Sequence, residues 1–146
     1  MIAITNRQRA KKIDLQLLKQ FTSAALAKLK IENAELGIVL IGAKEMARLN
    51  EKFLSHNCPT DVITFDYSEK RAAVMQGEVF VCIEVAERQA EEFGTTWQSE
   101  TVRYVIHGIL HLAGHDDLEP VARKKMKRIE GQLVRKLSRR FALSKL

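Results

Sequence analysis

Apolar residues recur along this chain with two different periods, and the switches between them predict the order of its elements. Leu17, Leu18, Phe21, Ala25 and Leu29 stand three and four apart, which predicts an amphipathic helix from about Asp14 to Lys30. Ahead of it, Ile2–Thr5 reads as a short edge strand. Glu35–Gly42 is continuously apolar and rich in β-branched side chains, as a buried strand should be. Met46 and Leu49 then give Ala43–Asn50 one apolar helical face. His56–Pro59 has loop composition, with Pro59 as a breaker. Asp61–Phe65 and Glu78–Cys82 predict two further strands, joined through a surface connection containing Ser68, Glu69, Lys70, Gln76 and Gly77.

Helical periodicity returns at Ile83–Phe93, stopped by Gly94. Thr95 and Gln98 fit a capping box that opens the next helix, which the apolar pattern carries to Gly114. A last helix begins near Pro120, a residue favoured at the first helical position, and occupies about 119–140. Ala122, Met126, Ile129, Leu133 and Leu137 form its inner face. No internal repeat, low-complexity tract or linker interrupts the order. The expectation is one α+β domain over residues 1–146, a small mixed sheet of about four strands packed with about five helices.

Composition changes this picture little; charge changes it more. With 46% hydrophobic and 29% charged residues the chain reads as globular, and no apolar run approaches the roughly 20 residues of a membrane span. Met1–Thr5 is followed at once by Arg7, Arg9, Lys11 and Lys12, unlike a secretory signal. Cys58 and Cys82 have neither metal-type spacing nor the density of a disulfide scaffold, so reduced thiols in the cytoplasm are expected. Of the 24 Lys and Arg, 10 fall in residues 118–146, against two acids there, leaving 14 basic and 16 acidic residues in the rest. A nearly neutral body with one basic helical end suits an anionic partner, with a merely solvated face as the bland alternative.

The chemistry gathers on the helix ending at Gly114. Within an apolar run, Glu100, Arg103, His107 and His111 stand at spacings of three, four and four, which aligns them on one face. Imidazoles at i and i+4 can converge on one metal ion. Gly114 can reverse the chain, and the spacing H-x-x-x-H-x-x-G-x-x-D then returns Asp117 as a third ligand, with His115 as the competing one. Three protein ligands and an open position make the catalytic zinc pattern, and a carboxylate donor also admits manganese or nickel. Zinc proteases place a glutamate beside the first histidine; here that position is Gly108, so peptide hydrolysis by that route lacks its base. An uncrowded Gly108 would instead let a phosphodiester approach. Thr60 and Asp61 are candidates to support a metal histidine from behind, with turn capping as the alternative. His56 in a loop, Cys58 without a base and Trp97 at a helix start all read as structural or solvated residues.

The segment HGILHLAGHDD at His107–Asp117 resembles the metal motif HGxLHLxGxDH of the YbeY family of bacterial rRNA-maturation endoribonucleases. LNEKF at Leu49–Phe53, PTDVITF at Pro59–Phe65 and GEVFVC with Gln89 and Ala90 behind it follow in that family's order, and Met126 and Glu130 match weaker positions of the last helix. The resemblance covers roughly Glu45 to Glu130. It implies a compact α+β fold with one zinc-like ion per chain on His107, His111 and Asp117. It also implies single-strand-specific endonuclease action at the small-subunit rRNA 3′ end, and a part in ribosome quality control. Two residues depart from the pattern. Asp117 stands where the family usually has histidine, and Leu54 where it often has arginine. Arg103, with Lys52 behind it, is the candidate replacement cation, the alternative being a structural ion pair of Arg103 with Glu100.

The expected activity is thus hydrolysis of RNA phosphodiester bonds in the cytoplasm. His107, His111 and Arg103 would be catalytic, and Arg123, Lys124, Lys127, Arg128, Arg135 and Lys136 would supply salt-sensitive RNA affinity. The expected partners are rRNA or other single-stranded RNA and the small ribosomal subunit, with neither DNA nor membrane. Two rivals are a non-catalytic ribosome-assembly factor with a structural metal and a metallohydrolase of peptides or small molecules.

Overall fold

The computed structural model describes residues 1–54, 61–69 and 73–146. Four strands form one sheet in the order β1 (Ile2–Asn6), β2 (Ala34–Ile41), β4 (Met75–Cys82) and β3 (Val62–Asp66). β1, β2 and β4 run parallel, and β3 joins the edge antiparallel to β4. Ile38–Ile41 and Val79–Cys82 are buried on both faces of the sheet, which explains why the two central strands read as unbroken apolar runs.

Helices cover the sheet unequally. α1 (Leu15–Lys28), α4 (Trp97–Leu112) and α5 (Pro120–Ser138) supply most of the large core, which includes Phe21, Ile106, Ile109 and Met126. A smaller core on the other face holds Met46 of α2 (Ala43–Leu54), Ile63, Phe80 and Val85, the last from α3 (Ile83–Phe93). A mixed α+β architecture is the outcome, with the expected strands and helices in the expected order. A short 3₁₀ turn at Leu143–Lys145 is added at the end. Among the described residues no helix is long and apolar enough to cross a membrane.

α4 is the central helix, and two glycines seat it. A Cβ on Gly108 would lie 2.5 Å from Cγ1 of Val79, and one on Gly77 would lie 2.5 Å from Cδ2 of Leu112. Each glycine thus receives a side chain from the other element, and α4 lies close against β4. Gly108 faces the sheet. The expectation that it opens a path for a phosphodiester is therefore corrected: its missing side chain serves helix–sheet packing.

Both ends of α4 have identifiable stops. Thr96, not Thr95, is the N-cap, its hydroxyl accepting from the Ser99 N–H at 3.2 Å. The Thr95 hydroxyl instead donates to the buried Glu100 carboxylate at 2.8 Å. At the other end Gly114 has φ +99°, its N–H donates to the His111 carbonyl, and the His115 N–H donates to the Leu110 carbonyl. That pair of bonds is the Schellman arrangement, which turns the chain back over the last turn of the helix.

Candidate metal centre

His107 and His111 project from successive turns of α4, with ring centroids 4.7 Å apart and Nε2 atoms 3.1 Å apart. The turn after Gly114 brings Asp117 to them: Oδ2 lies 3.6 Å from His107 Nε2, and Oδ1 lies 3.8 Å from His111 Nε2. The ligand atoms of these three residues all fall within 4.8 Å of one another. Among the described residues His115, the competing third donor, is not part of this cluster.

A fourth residue decides what the cluster can do. Glu130 of α5, buried at 7% exposure, places Oε2 2.9 Å from His107 Nδ1. Its carboxylate accepts a proton-bearing nitrogen there, which fixes the tautomer and leaves the Nε2 lone pair facing His111 and Asp117. Two imidazole nitrogens and a carboxylate then converge, and a cation can replace the proton that the two nitrogens share at 3.1 Å. A tetrahedral ion with bonds of about 2.0–2.1 Å sets its ligand atoms roughly 3.3 Å apart, close to the spacing of the two nitrogens. The donor set fits a divalent transition metal.

Electrostatics treat the two histidines differently. Burial alone would push the His107 pKa down, but the hydrogen bond and charge of Glu130, followed by the charge of Asp117, outweigh it and raise the pKa. For His111, burial and then the neighbouring His107 lower the value, so it is the more readily neutral ligand.

The remaining candidates are sorted by the fold. Arg103 pairs not with Glu100 but with Glu130, Nη1 to Oε1 at 3.4 Å, so one carboxylate joins it to His107. Asp61 lines the cavities on either side of His107, its side chain accepting the Val62 N–H at 2.8 Å. Thr60 lies outside the described residues, as do His56, Cys58, Pro59 and Lys70, and the side chain of Leu54. Arg123 donates from Nε to the Asp117 carbonyl at 2.9 Å, so it holds the metal loop. Lys127 lines the cavity beside His107, whereas Lys124, Arg128, Arg135 and Lys136 are exposed along α5. Sequence reasoning gave Glu130 no role at the metal. Its signal was that it is the one acid in α5 and stands four residues after the buried Met126 and four before the buried Val134.

An α+β fold that presents two histidines and an aspartate from one helix end defines a class, small proteins with a helix-borne site for a divalent metal ion. The family model for Endoribonuclease YbeY matches residues 3–138. Endoribonuclease YbeY of Elusimicrobium minutum is 36% identical over 124 residues, which cover 83% of this chain and 87% of that protein. The protein of that name from Chlorobium luteolum is 36% identical over 105 residues, covering 72% and 75%. The solution structure of a Thermotoga maritima protein is similar with a TM-score of 0.66 at 32% identity, covering 92% of this chain and 87% of that one. The chain belongs to the endoribonuclease YbeY family.

Proposed function

We propose that this chain is a metal-dependent endoribonuclease that cleaves single-stranded RNA, with His107, His111 and Asp117 holding one zinc-like divalent ion. The observation that carries this reading is the Glu130–His107 contact at 2.9 Å, which directs the His107 lone pair at the other two donors. When bound, such an ion supplies Lewis-acid charge at a phosphoryl oxygen and makes water acidic near neutral pH. The chain's own residues bind and orient. Glu130 keeps the proton on Nδ1 of His107, Arg123 holds the loop of Asp117, and Arg103 brings a guanidinium into the cavity next to His107.

The family membership extends the reading to the 3′ end of small-subunit rRNA, to ribosome quality control and to a cytoplasmic setting. Lys124, Arg128, Arg135 and Lys136 would add salt-sensitive attraction for the RNA. The deciding experiment measures metal content and single-stranded RNA cleavage for the wild type and for His111→Ala. The expected result is about one metal per chain and cleavage that the substitution abolishes. Metal binding without cleavage in the wild type would overturn the enzymatic reading in favour of a binding factor.

A further inference from the structure

His107 lines two adjoining cavities of different character. One, of about 390 Å³, lies between β3 and the metal cluster, and its charged lining other than histidine is Asp61, Asp66 and Asp117. The other, of about 490 Å³, is walled by α3, α4 and α5, and it contains both cations of the pair, Arg103 and Lys127. Of the two, only the second offers cationic side chains to a phosphate lying next to the one at the metal.

The second cavity has carboxylates too, but each is engaged. Glu100 takes the Thr95 hydroxyl, Asp61 takes the Val62 N–H, and Glu130 takes both His107 and Arg103. Lys127 is exposed and, among the described residues, enters no ion pair. At the end of α3 the same cavity is lined by Phe93, which is 64% exposed and, among the described residues, pairs with no other ring. The other apolar residues of α3, Ile83, Val85, Ala86 and Ala90, are all buried, so Phe93 departs from its helix's own pattern. An exposed ring and an uncommitted ammonium in one cavity that ends at a metal ligand match the two halves of a nucleotide: a base to stack and a phosphate to neutralise.

We propose that this cavity is a nucleotide subsite flanking the scissile bond, in which Lys127, with Arg103 behind it, holds an adjacent phosphate and the Phe93 ring stacks the attached base. The identity of the polymer rests on the endoribonuclease reading, while the subsite itself has its own test. The zinc-loaded full chain is titrated with adenosine 5′-monophosphate and with adenosine, followed by amide chemical shifts, for the wild type, Phe93→Ala, Lys127→Gln and the comparator Lys125→Gln. Wild type and comparator should bind the monophosphate more tightly than the nucleoside by up to about fivefold, the margin of one exposed ion pair. Lys127→Gln should erase that margin, and Phe93→Ala should weaken both ligands about tenfold, as loss of one stacked base does. In RNA cleavage, Phe93→Ala should raise KM with kcat within about twofold, and Lys127→Gln should flatten the salt dependence of log kcat/KM by about 0.7.

Wild-type titrations from both variants overturn the subsite, including the case in which the phosphate sits on the zinc and Lys127→Gln changes nothing. The expected titrations without RNA cleavage keep the subsite and remove the endoribonuclease reading. Cleavage that neither substitution alters removes the subsite and keeps that reading.

Discussion

His107 and Glu130 lie on different helices, 23 residues apart, and meet at 2.9 Å between Nδ1 and Oε2. The contact joins α4 to α5 at the metal centre and sets which imidazole nitrogen faces the other ligands. A histidine in water shares its proton between both nitrogens; here the proton is assigned before any metal arrives.

Glu130→Gln keeps the shape and removes the charge. Metal affinity should fall by about tenfold or more, the usual cost of losing a carboxylate behind a ligating histidine. Competition with a chromophoric zinc chelator measures it directly, and an affinity equal to wild type would show that the contact only packs α5.

Proton competition should be visible at higher pH than for a free histidine, because the pKa of His107 is raised above 6.5. In the metal-free protein, protonated His107 contributes stability that is complete below about 6.5 and is lost as pH rises through the raised folded value. His111, whose pKa is lowered, contributes in the opposite sense. A metal must displace the His107 proton, so the rise in Tm caused by zinc should shrink as the pH falls from about 8 to about 6. In Glu130→Gln the same loss should move to lower pH. Melting curves with and without zinc across that range provide the check.

Gly108→Ala puts a methyl group 2.5 Å from Cγ1 of Val79 and 2.7 Å from its Cγ2. Overpacking of this kind costs about 1–3 kcal/mol, and the helix preference for alanine returns only about 1. Net destabilisation of roughly 1 kcal/mol, and at most about 2, should appear in denaturant titration. The double variant with Val79→Ala should recover part of it, since the clash is with that side chain. Purely additive losses would place the strain elsewhere.

Arg123 separates two roles that a basic helix could play. Its Nε donates to the Asp117 carbonyl, so Arg123→Ala should weaken zinc binding severalfold by loosening the third ligand. Arg128→Ala, on the exposed side of the same helix, should leave zinc affinity unchanged and reduce only the affinity for RNA. Equal zinc affinity in both variants would return Arg123 to the RNA-binding group.

Much of this protein was legible because its key distances are short along the chain. Helical period alone put His107 and His111 on one face, Gly114 supplied the reversal, and Asp117 followed within the same turn, so the three donors are fixed by local geometry. The apolar runs likewise marked β2 as a buried strand and β4 as a further strand, and the breaks between runs gave the order of helices. Contacts between elements were not written this way. Arg103 chose Glu130 over Glu100 because α5 packs across α4 and because Thr95 already occupies Glu100. Gly108 looked like an open approach to the metal until the sheet was placed behind it. Lys127 was one of six basic candidates for RNA contact until packing turned it into a cavity with Phe93. A sequence pattern records the period of its own element, whereas the partner across a helix–helix or helix–sheet contact depends on crossing angle and register, which only the folded chain decides.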